Sequence, residues 1–453
     1  MSKQGNLTEG PILKVLTKLA LPIMASAFLA TVYNITDMAW IGMLGSEAVA
    51  GVGVAGMYMW LSSSLATLAK TGGQVYVAQS IGRGRRDEAV SYAKTAVQLG
   101  IMFGICFGLM CIFFAKPMIG FFELDGKEAI RAGETYLRIS GGIVVFSYLG
   151  VILTGIYTAQ GNSQTPLKAN FCGLVINVIL DPLLILGMGP FPKLGVAGSA
   201  VATVFAQAAV VSILIKSIHS KKMSDNVLRD VKILSVPEKP YMNSALKMGA
   251  PIALQSMVYC MISMVLSRLV STFGDGAIAT QQVGGQIESI SWNTADGFGS
   301  AMNAFAAQNY GAKKMDRVKK GYRLSAITVG LWGLLVGVIF FCFARQISSI
   351  FFFEEEVIRL SMNYLIIIGI SEAFMCVELM SVGALSGLGQ TKICSVISIL
   401  LTGMRIPLAL VLSSTAFGLN GIWWALTISS ICKGIALYIA FHYKVGKLEK
   451  VGA

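Results

Sequence analysis

The chain repeats itself once, about 229 residues apart, and both copies consist of apolar segments long enough to cross a membrane. Ala20-Leu21-Pro22-Ile23 returns as Gly249-Ala250-Pro251-Ile252, and Gly45, Ala48 and Ala50 return as Gly274, Ala277 and Ala279. Ala78-Gln79-Ser80-Ile81-Gly82 returns as Ala307-Gln308-Asn309-Tyr310-Gly311. Later matches come at shorter offsets, as loop deletions in the second copy would produce: Gln164-Thr165 pairs with Gln390-Thr391, and Gly195 and Gly198 pair with Gly418 and Gly421. Duplicated membrane bundles are a common transporter architecture, with the substrate site where the repeats meet.

A chain of 453 residues that is 55% hydrophobic and 13% charged is not an ordinary soluble protein. Twelve segments reach spanning length, near 15–42, 47–70, 91–115, 132–159, 166–188, 196–217, 241–271, 277–305, 321–344, 357–385, 393–415 and 419–443. Almost none has a polar face, which sets them apart from buried core helices. Six spans per copy is an even number, so both copies cross in the same sense. The expected fold is an all-α integral membrane protein of twelve transmembrane helices. They form two six-helix lobes related by a pseudo-two-fold axis along the membrane normal. The lobes are 1–216 and 241–453, joined by a polar, proline-broken linker at 217–240. The first segment is too long, and followed by too much membrane, for a cleaved signal peptide.

Placing the N-terminus in the cytoplasm puts 25 of the 36 Lys and Arg residues on the inside and six on the outside. By the positive-inside rule this is a multi-pass protein of a cytoplasmic membrane with both termini cytoplasmic. The inside set includes Lys3, Arg83-Gly84-Arg85-Arg86, Lys221-Lys222 and Lys313-Lys314. The net charge of +13 is this topology signal together with attraction to anionic lipid, not a nucleic-acid footprint. The eight cysteines all lie in spans, with no CxxC and no ligand-spaced cluster, and read as packing thiols. No GxxxxGK[ST] motif is present, which argues against an intrinsic ATP motor.

Six carboxylates fall within the spans: Asp37, Asp181, Glu288, Asp296, Glu372 and Glu378. At bilayer depth each is costly unless paired, hydrated or protonated, so each is a functional candidate. Asp37 in the first span and Asp181 in the fifth lie at similar depth near the outer ends. Tyr33 and Asn34 are one turn from Asp37. Asn170, Asn177 and Asp181 share a face of the fifth span, and Ser199, Thr203 and Gln207 share a face of the sixth. Carboxylate, amide and hydroxyl oxygens suit a small hard cation, a possible Na+ at Asp37, Asn177 and Asp181. The two carboxylates could instead share a proton, or the stripes could simply hold the helices together.

The second copy differs. Leu266 stands where Asp37 would, and Ile406 where Asp181 would, so this acidic site is not duplicated. Glu288 and Trp292 lie on a polar stripe of the eighth span, and Glu288, Glu372 and Arg405 fall near mid-membrane. They form either an ion pair of Arg405 with Glu288 or Glu372, or the wall of a substrate cavity. Gln160, Gln255 and Tyr259 complete the candidate cavity set. Pro22 and Pro251 occupy equivalent places near the starts of the first and seventh spans, where they kink those helices, permit bending or mark their starts.

These residues carry a family resemblance over roughly 10–443. Its marks are Leu21-Pro22, Asp37, Gly45-Ser46-Glu47-Ala48-Val49-Ala50 and Gln160-Gly161-Asn162-Ser163-Gln164-Thr165-Pro166. Further marks are Asn177-Val178-Ile179-Leu180-Asp181-Pro182, Gly195-Val196-Ala197-Gly198-Ser199-Ala200, Ala307-Gln308-Asn309-Tyr310-Gly311 and Gly383-Ala384-Leu385-Ser386-Gly387. The chain resembles the MATE (multidrug and toxic compound extrusion) family, within the superfamily of lipid flippases and drug exporters. The resemblance implies a V-shaped pair of six-helix lobes that export drugs by alternating access, driven by inward Na+ or H+. In the branch similar to the DNA-damage-inducible exporters, the cation site uses acids on spans 1 and 5, which Asp37, Asn177 and Asp181 match. Ser199 or Thr203 would add the hydroxyl expected from span 6. The other prokaryotic branch has an acidic site in the second lobe. Here Gln255 and Tyr259 stand on span 7 where that branch carries a glutamate, leaving only Glu372 or Glu378 on span 10.

The expected function is a monomeric secondary antiporter exchanging H+ or Na+ for amphipathic drugs or toxic compounds, with no cofactor. Six buried acids favour cationic cargo. A lipid-linked precursor flippase is the alternative, but it calls for a basic cavity. An intramembrane aspartyl protease built on Asp37 and Asp181 fits neither the duplication nor the resemblance.

Overall fold

In a bilayer core an unpartnered backbone N–H or C=O costs several kcal/mol, and a helix satisfies each one within its own segment. The apolar segments accordingly form helices. The computed structural model describes residues 7–122, 126–189, 191–220 and 225–452; Lys3, Lys221 and Lys222 lie outside them. The first copy folds into α1 (Ile12–Gly42), α2 (Ser46–Gly82), α3 (Arg86–Gly120), α4 (Lys127–Tyr136), α5 (Val145–Ala159), α6 (Gln164–Ile185) and α7 (Val196–Ile218). The second folds into α8 (Lys239–Ser271), α9 (Asp275–Gly311), α10 (Met315–Phe351), α11 (Glu355–Gly369), α12 (Glu372–Gly387), α13 (Thr391–Gly403), α14 (Arg405–Ser413) and α15 (Leu419–Gly452).

Among the described residues, nine helical stretches are long and apolar enough to cross a membrane, α13 with α14 counting as one. The pairs α4 with α5 and α11 with α12 would each make one further span, bent by 48° and 52°. The first bend follows a π-helical turn at Leu137–Gly141. The remaining long helix, α9, has the length but carries Gln281, Gln282, Gln286, Glu288, Asn293 and Asp296. With it, the helical passages match the twelve expected segments. The largest boundary difference is at α2, which runs to Gly82 rather than ending near 70. Gly72, Gly73 and Gln74 lower its local apolarity, yet small residues let membrane helices pack closely.

The duplication is written in the backbone as well as in the sequence. Gly45 and Gly274, equivalent in the two copies, precede α2 and α9 with φ of 113° and 102°. Only glycine takes that conformation at little cost. Gly84 has φ 74°, and its counterpart Lys313 has φ 58°, the one non-glycine with positive φ among the described residues. The second copy thus keeps the turn after giving up the glycine.

The chain forms two compact units, one of Ala25–Ala253 and one of Leu7–Met24 with Leu254–Ala453. The boundaries fall inside α1 and α8, each two or three residues after its proline, Pro22 or Pro251. In the first unit, a strap of residues preceding α8 is fastened to α3 and α5. Arg86 donates to Asp230 Oδ2 at 2.8 Å and to the carbonyls of Asp225 and Asn226 at 3.0 and 3.3 Å. Lys94 pairs with Glu238 at 2.6 Å, and Gln98 donates to the carbonyls of Ile233 and Ser235. In the second unit, residues preceding α1 are fastened in the same manner. Arg317 donates to the carbonyls of Gly10 and Glu9, both at 2.8 Å, Lys314 to that of Thr8, and Asn309 to that of Leu7.

Local opening of a segment held mainly by polar contacts is set by those contacts. Arg86→Ala should therefore raise the rate of tryptic cleavage at Arg229 and Lys232 roughly tenfold, without changing cleavage at Lys313. Peptide mapping of the purified protein checks this, and an unchanged rate at Arg229 would remove Arg86 as the clasp.

Candidate functional site

Three helices of the first unit carry polar stripes, and the structure brings the stripes together. On α1 Asp37 is 7% exposed; on α6 Asn177 and Asp181 are fully buried, as is Ser199 on α7. Ser199 Oγ donates to Asp37 Oδ1 at 2.7 Å, and Asn177 Nδ2 donates to Asp181 Oδ1 at 3.1 Å. The i, i+4 spacing on α6 makes the second contact geometrically natural. Asp37 and Asp181 are close enough to repel one another as anions. Tyr33, and Tyr136 from α4, feel both charges and bring their hydroxyls towards Thr203. Neither the Tyr33 hydroxyl nor that of Thr203 completes a hydrogen bond in this geometry. Asp181 Oδ2 and Asn177 Oδ1 are likewise buried without a donor.

The chemistry of this cluster follows from its donor set. Among the described residues no lysine or arginine pairs with either aspartate. Two carboxylates and an amide oxygen, with hydroxyls at hand, can hold a hard cation or a shared proton. The unpartnered oxygens of Asp181 and Asn177 fit either occupant.

The same stripes continue into a cavity of about 340 Å³ within this unit. Tyr33 and Asn34 on α1, Asn170 on α6 and Gln207 on α7 reach its wall, one or more turns from the acids. Leu29, Phe146, Val151, Leu174 and Val210 supply its apolar surface. Asp37 and Asp181 do not line it; its single charged lining residue is Lys70 on α2. Sequence reasoning passed over both Lys70, placed at a span end, and Tyr136. The helical reach of α2 past its glycines was the signal for the first.

Gln160 lies elsewhere, at the end of α5. It donates to Asn226 Oδ1 at 3.0 Å and accepts from the Val227 N–H at 2.9 Å, so it holds the strap. It is not among the residues lining the cavity.

The second unit neutralises its deep charges differently. Lys433 Nζ pairs with Glu378 Oε1 at 2.8 Å, and both side chains are buried. Arg405 makes no ion pair within 4 Å of Glu288 or Glu372. It donates instead to Ser429 and Ser430 at 3.1 and 3.0 Å and lies over the Tyr259 ring at 5.8 Å. Glu288 accepts from the Tyr364 hydroxyl at 3.3 Å and feels the charge of Arg405, then of Lys433. Glu372 is fully buried beside Glu288 and Ser291, with neither oxygen in a completed hydrogen bond. Trp292 and Tyr259 are exposed, and Gln255 Oε1 is buried without a donor.

The positions equivalent to the acidic cluster of the first unit hold something else. Leu266 and Ile406, with Ile422 and Leu426 at the places of Ser199 and Thr203, belong to one apolar cluster of the second unit. Among the described residues there is no group of three or more His, Cys, Asp or Glu placed to hold a metal.

Comparison with known proteins places this geometry. The MatE family model matches residues 22–183 and again 251–411, one match per copy. A probable multidrug resistance protein NorM of Thermotoga maritima is 28% identical over 97% of this chain and 94% of its own length. A probable multidrug resistance protein YoeA of Bacillus subtilis is 26% identical over 89% of this chain and 87% of its own. A crystal structure of a MATE protein in the bent conformation superposes with a TM-score of 0.92 at 20% identity, covering 100% of this chain and 99% of that one. The shared fold is the twelve-helix, two-lobe membrane architecture.

Removing one member of a buried ion pair strands the other charge, at a cost of about 3–5 kcal/mol, whereas removing both is far milder. Lys433→Met should therefore lower stability markedly, and Glu378→Gln in the same chain should restore most of it. Thermal unfolding in detergent, followed by a thiol dye reaching buried Cys111, Cys376 and Cys394, reads the difference.

Proposed function

Since the chain belongs to the MatE family, a family of membrane transporters and not of enzymes, we propose that it is a multidrug exporter and that it works by secondary antiport. In this reading it moves amphipathic organic compounds out of the cell in exchange for inward H+ or Na+. It sits in the cytoplasmic membrane with both termini in the cytoplasm and acts as a monomer. The names of the relatives from T. maritima and B. subtilis support multidrug export. The observation that carries antiport is the pair Asp37 and Asp181, buried together with no lysine or arginine paired to either among the described residues, and one helical stripe away from a cavity.

The coupling step follows from electrostatics. Two carboxylates in a low-dielectric site repel each other, and binding a proton or Na+ between them removes that repulsion. A bound ion drives transport only if its binding favours one conformation over another by a differential free energy. Here α1 supplies the means. Asp37 is one turn from Tyr33 and Asn34 on the same helix, and both of those line the cavity. A shift of α1 that adapts Asp37 to its ion therefore reshapes the cavity wall. The Ser199 hydroxyl, donating to Asp37, holds the carboxylate towards α7 until that shift occurs. Release of cargo follows when the wall contracts on the outward side, and loss of the ion inside resets the helix.

The reading is tested in proteoliposomes preloaded with an amphipathic fluorescent dye, under an imposed Na+ or pH gradient. Wild-type protein should expel dye under one of the two gradients. Asp37→Asn and Asp181→Asn should each cut gradient-driven efflux by at least about tenfold with protein levels unchanged. Wild-type efflux by the double variant would sink the coupling role of this pair.

A further inference from the structure

The acids of the first unit give no negative charge to the wall of its cavity. Asp37 is 7% exposed and Asp181 is fully buried, and neither is a lining residue. The one charged side chain on that wall is Lys70. It sits thirteen residues before Arg83 on one continuous helix, roughly 20 Å along the axis from the basic loop. Among the described residues it has no hydrogen bond or ion pair to a protein group, and it is only partly exposed.

Its stem is held in place. A Cβ at Gly155 of α5 would stand 2.9 Å from Lys70 Cγ and 3.6 Å from its Cε, so the aliphatic chain crosses the bare backbone of α5. The glycine makes room for the lysine, and the crossing directs its end along the α5 side of the cavity. Ser147 and Thr154, both on α5, also line that cavity. A cation without a protein hydrogen-bond or ion-pair partner among the described residues, on a largely apolar wall that Ser147 and Thr154 share, is a receptor for an anion.

We propose that Lys70 is a specificity-determining residue that binds a carboxylate on the cargo, so that this cavity accepts amphipathic acids and zwitterions and not only organic cations. The proposal rests on the exporter reading and refines its substrate class. The apolar walls take the ring system of the cargo, and the Lys70 ammonium takes its carboxylate through a charge-assisted hydrogen bond. This reverses the expectation drawn from counting buried acids, because Asp37 and Asp181 are absent from the wall of the chamber that cargo would occupy.

The test uses a matched dye pair, a carboxy-rhodamine and its ethyl ester, which differ in one carboxylate. Binding of each to the purified full chain is followed by fluorescence anisotropy. Lys70→Met should weaken binding of the acid at least about tenfold and change that of the ester less than about twofold. Lys70→Arg should keep the acid. Gly155→Val, which leaves the lysine in the chain but displaces its stem, should lose the acid selectively as well. Equal losses for both dyes, which a purely structural lysine or a counter-charge for the aspartates would give, overturn the proposal. So does no loss, or no binding of the acid to wild type. Gradient-driven efflux of the ester in proteoliposomes is scored separately. Lys70-dependent binding without any driven efflux would leave the carboxylate site standing and remove the exporter reading.

Discussion

A charge inside a membrane protein must be neutralised, and the source of the neutralising charge separates the two halves of this molecule. In the second unit it is built in for two of the acids: Lys433 lies against Glu378, and Arg405 is held by Ser429 and Ser430 within the field of Glu288, while Glu372 is buried beside Glu288 with no basic partner among the described residues. In the first unit it is missing from the protein. Asp37 and Asp181 are met by a serine and an asparagine, which orient the carboxylates but cannot cancel two of them. Hydroxyl and amide donors offset part of the desolvation cost of an anion, while like charges in low dielectric still oppose one another. A site of that kind calls for a mobile cation, and the coupling role is proposed for the first unit on that ground.

In the proposed mechanism the link from ion to cargo is one of helical periodicity. Asp37 and the cavity-lining Tyr33 and Asn34 are successive turns of α1; Asp181 and Asn170 are turns of α6; Ser199 and Gln207 are turns of α7. Each helix is stiff over two or three turns, so displacement at the acids is carried to the cavity with little loss. No long relay is needed. Pro22 and Pro251, each lacking the N–H that would tie it to the preceding turn, weaken α1 and α8 close to where these helices pass from one compact unit to the other.

Much of this was legible in the sequence because it depends on one-dimensional regularities. Apolar length set the spans to within a few residues at most ends. Polar residues three and four apart marked the stripes of α1, α6 and α7 before any contact was known. What escaped depends on choice among neighbours in three dimensions. Arg405 had two carboxylates in reach by residue count, yet it takes two serines, and it is Lys433 that pairs with Glu378. Gln160 stood in the candidate cavity set, but the α5 helix ends there and its amide meets Asn226. Lys70 was passed over for a simpler reason: a hydropathy window closes at Gly72-Gly73-Gln74, while the helix continues because glycines inside a bundle permit close approach. The acids, too, were counted without regard to the direction each one faces, and direction decides what a cargo meets.

The duplication supplies an internal control for the acidic cluster. Polar groups buried in a membrane bundle could be there only to bind helix to helix, and that explanation predicts that the scaffold needs them. The second copy argues otherwise. It retains the turn geometry of the first down to the positive φ at Gly274 and even at Lys313. Yet Leu266, Ile406, Ile422 and Leu426 fill the places of Asp37, Asp181, Ser199 and Thr203 and pack as one apolar cluster. The same helices therefore close with apolar side chains at those four places. An apolar core is the less costly solution, since it buries no group that demands a partner. A copy that keeps two unpaired carboxylates there instead bears a standing electrostatic cost, and the fold gives no reason to bear it. The coupling role proposed for those oxygens does.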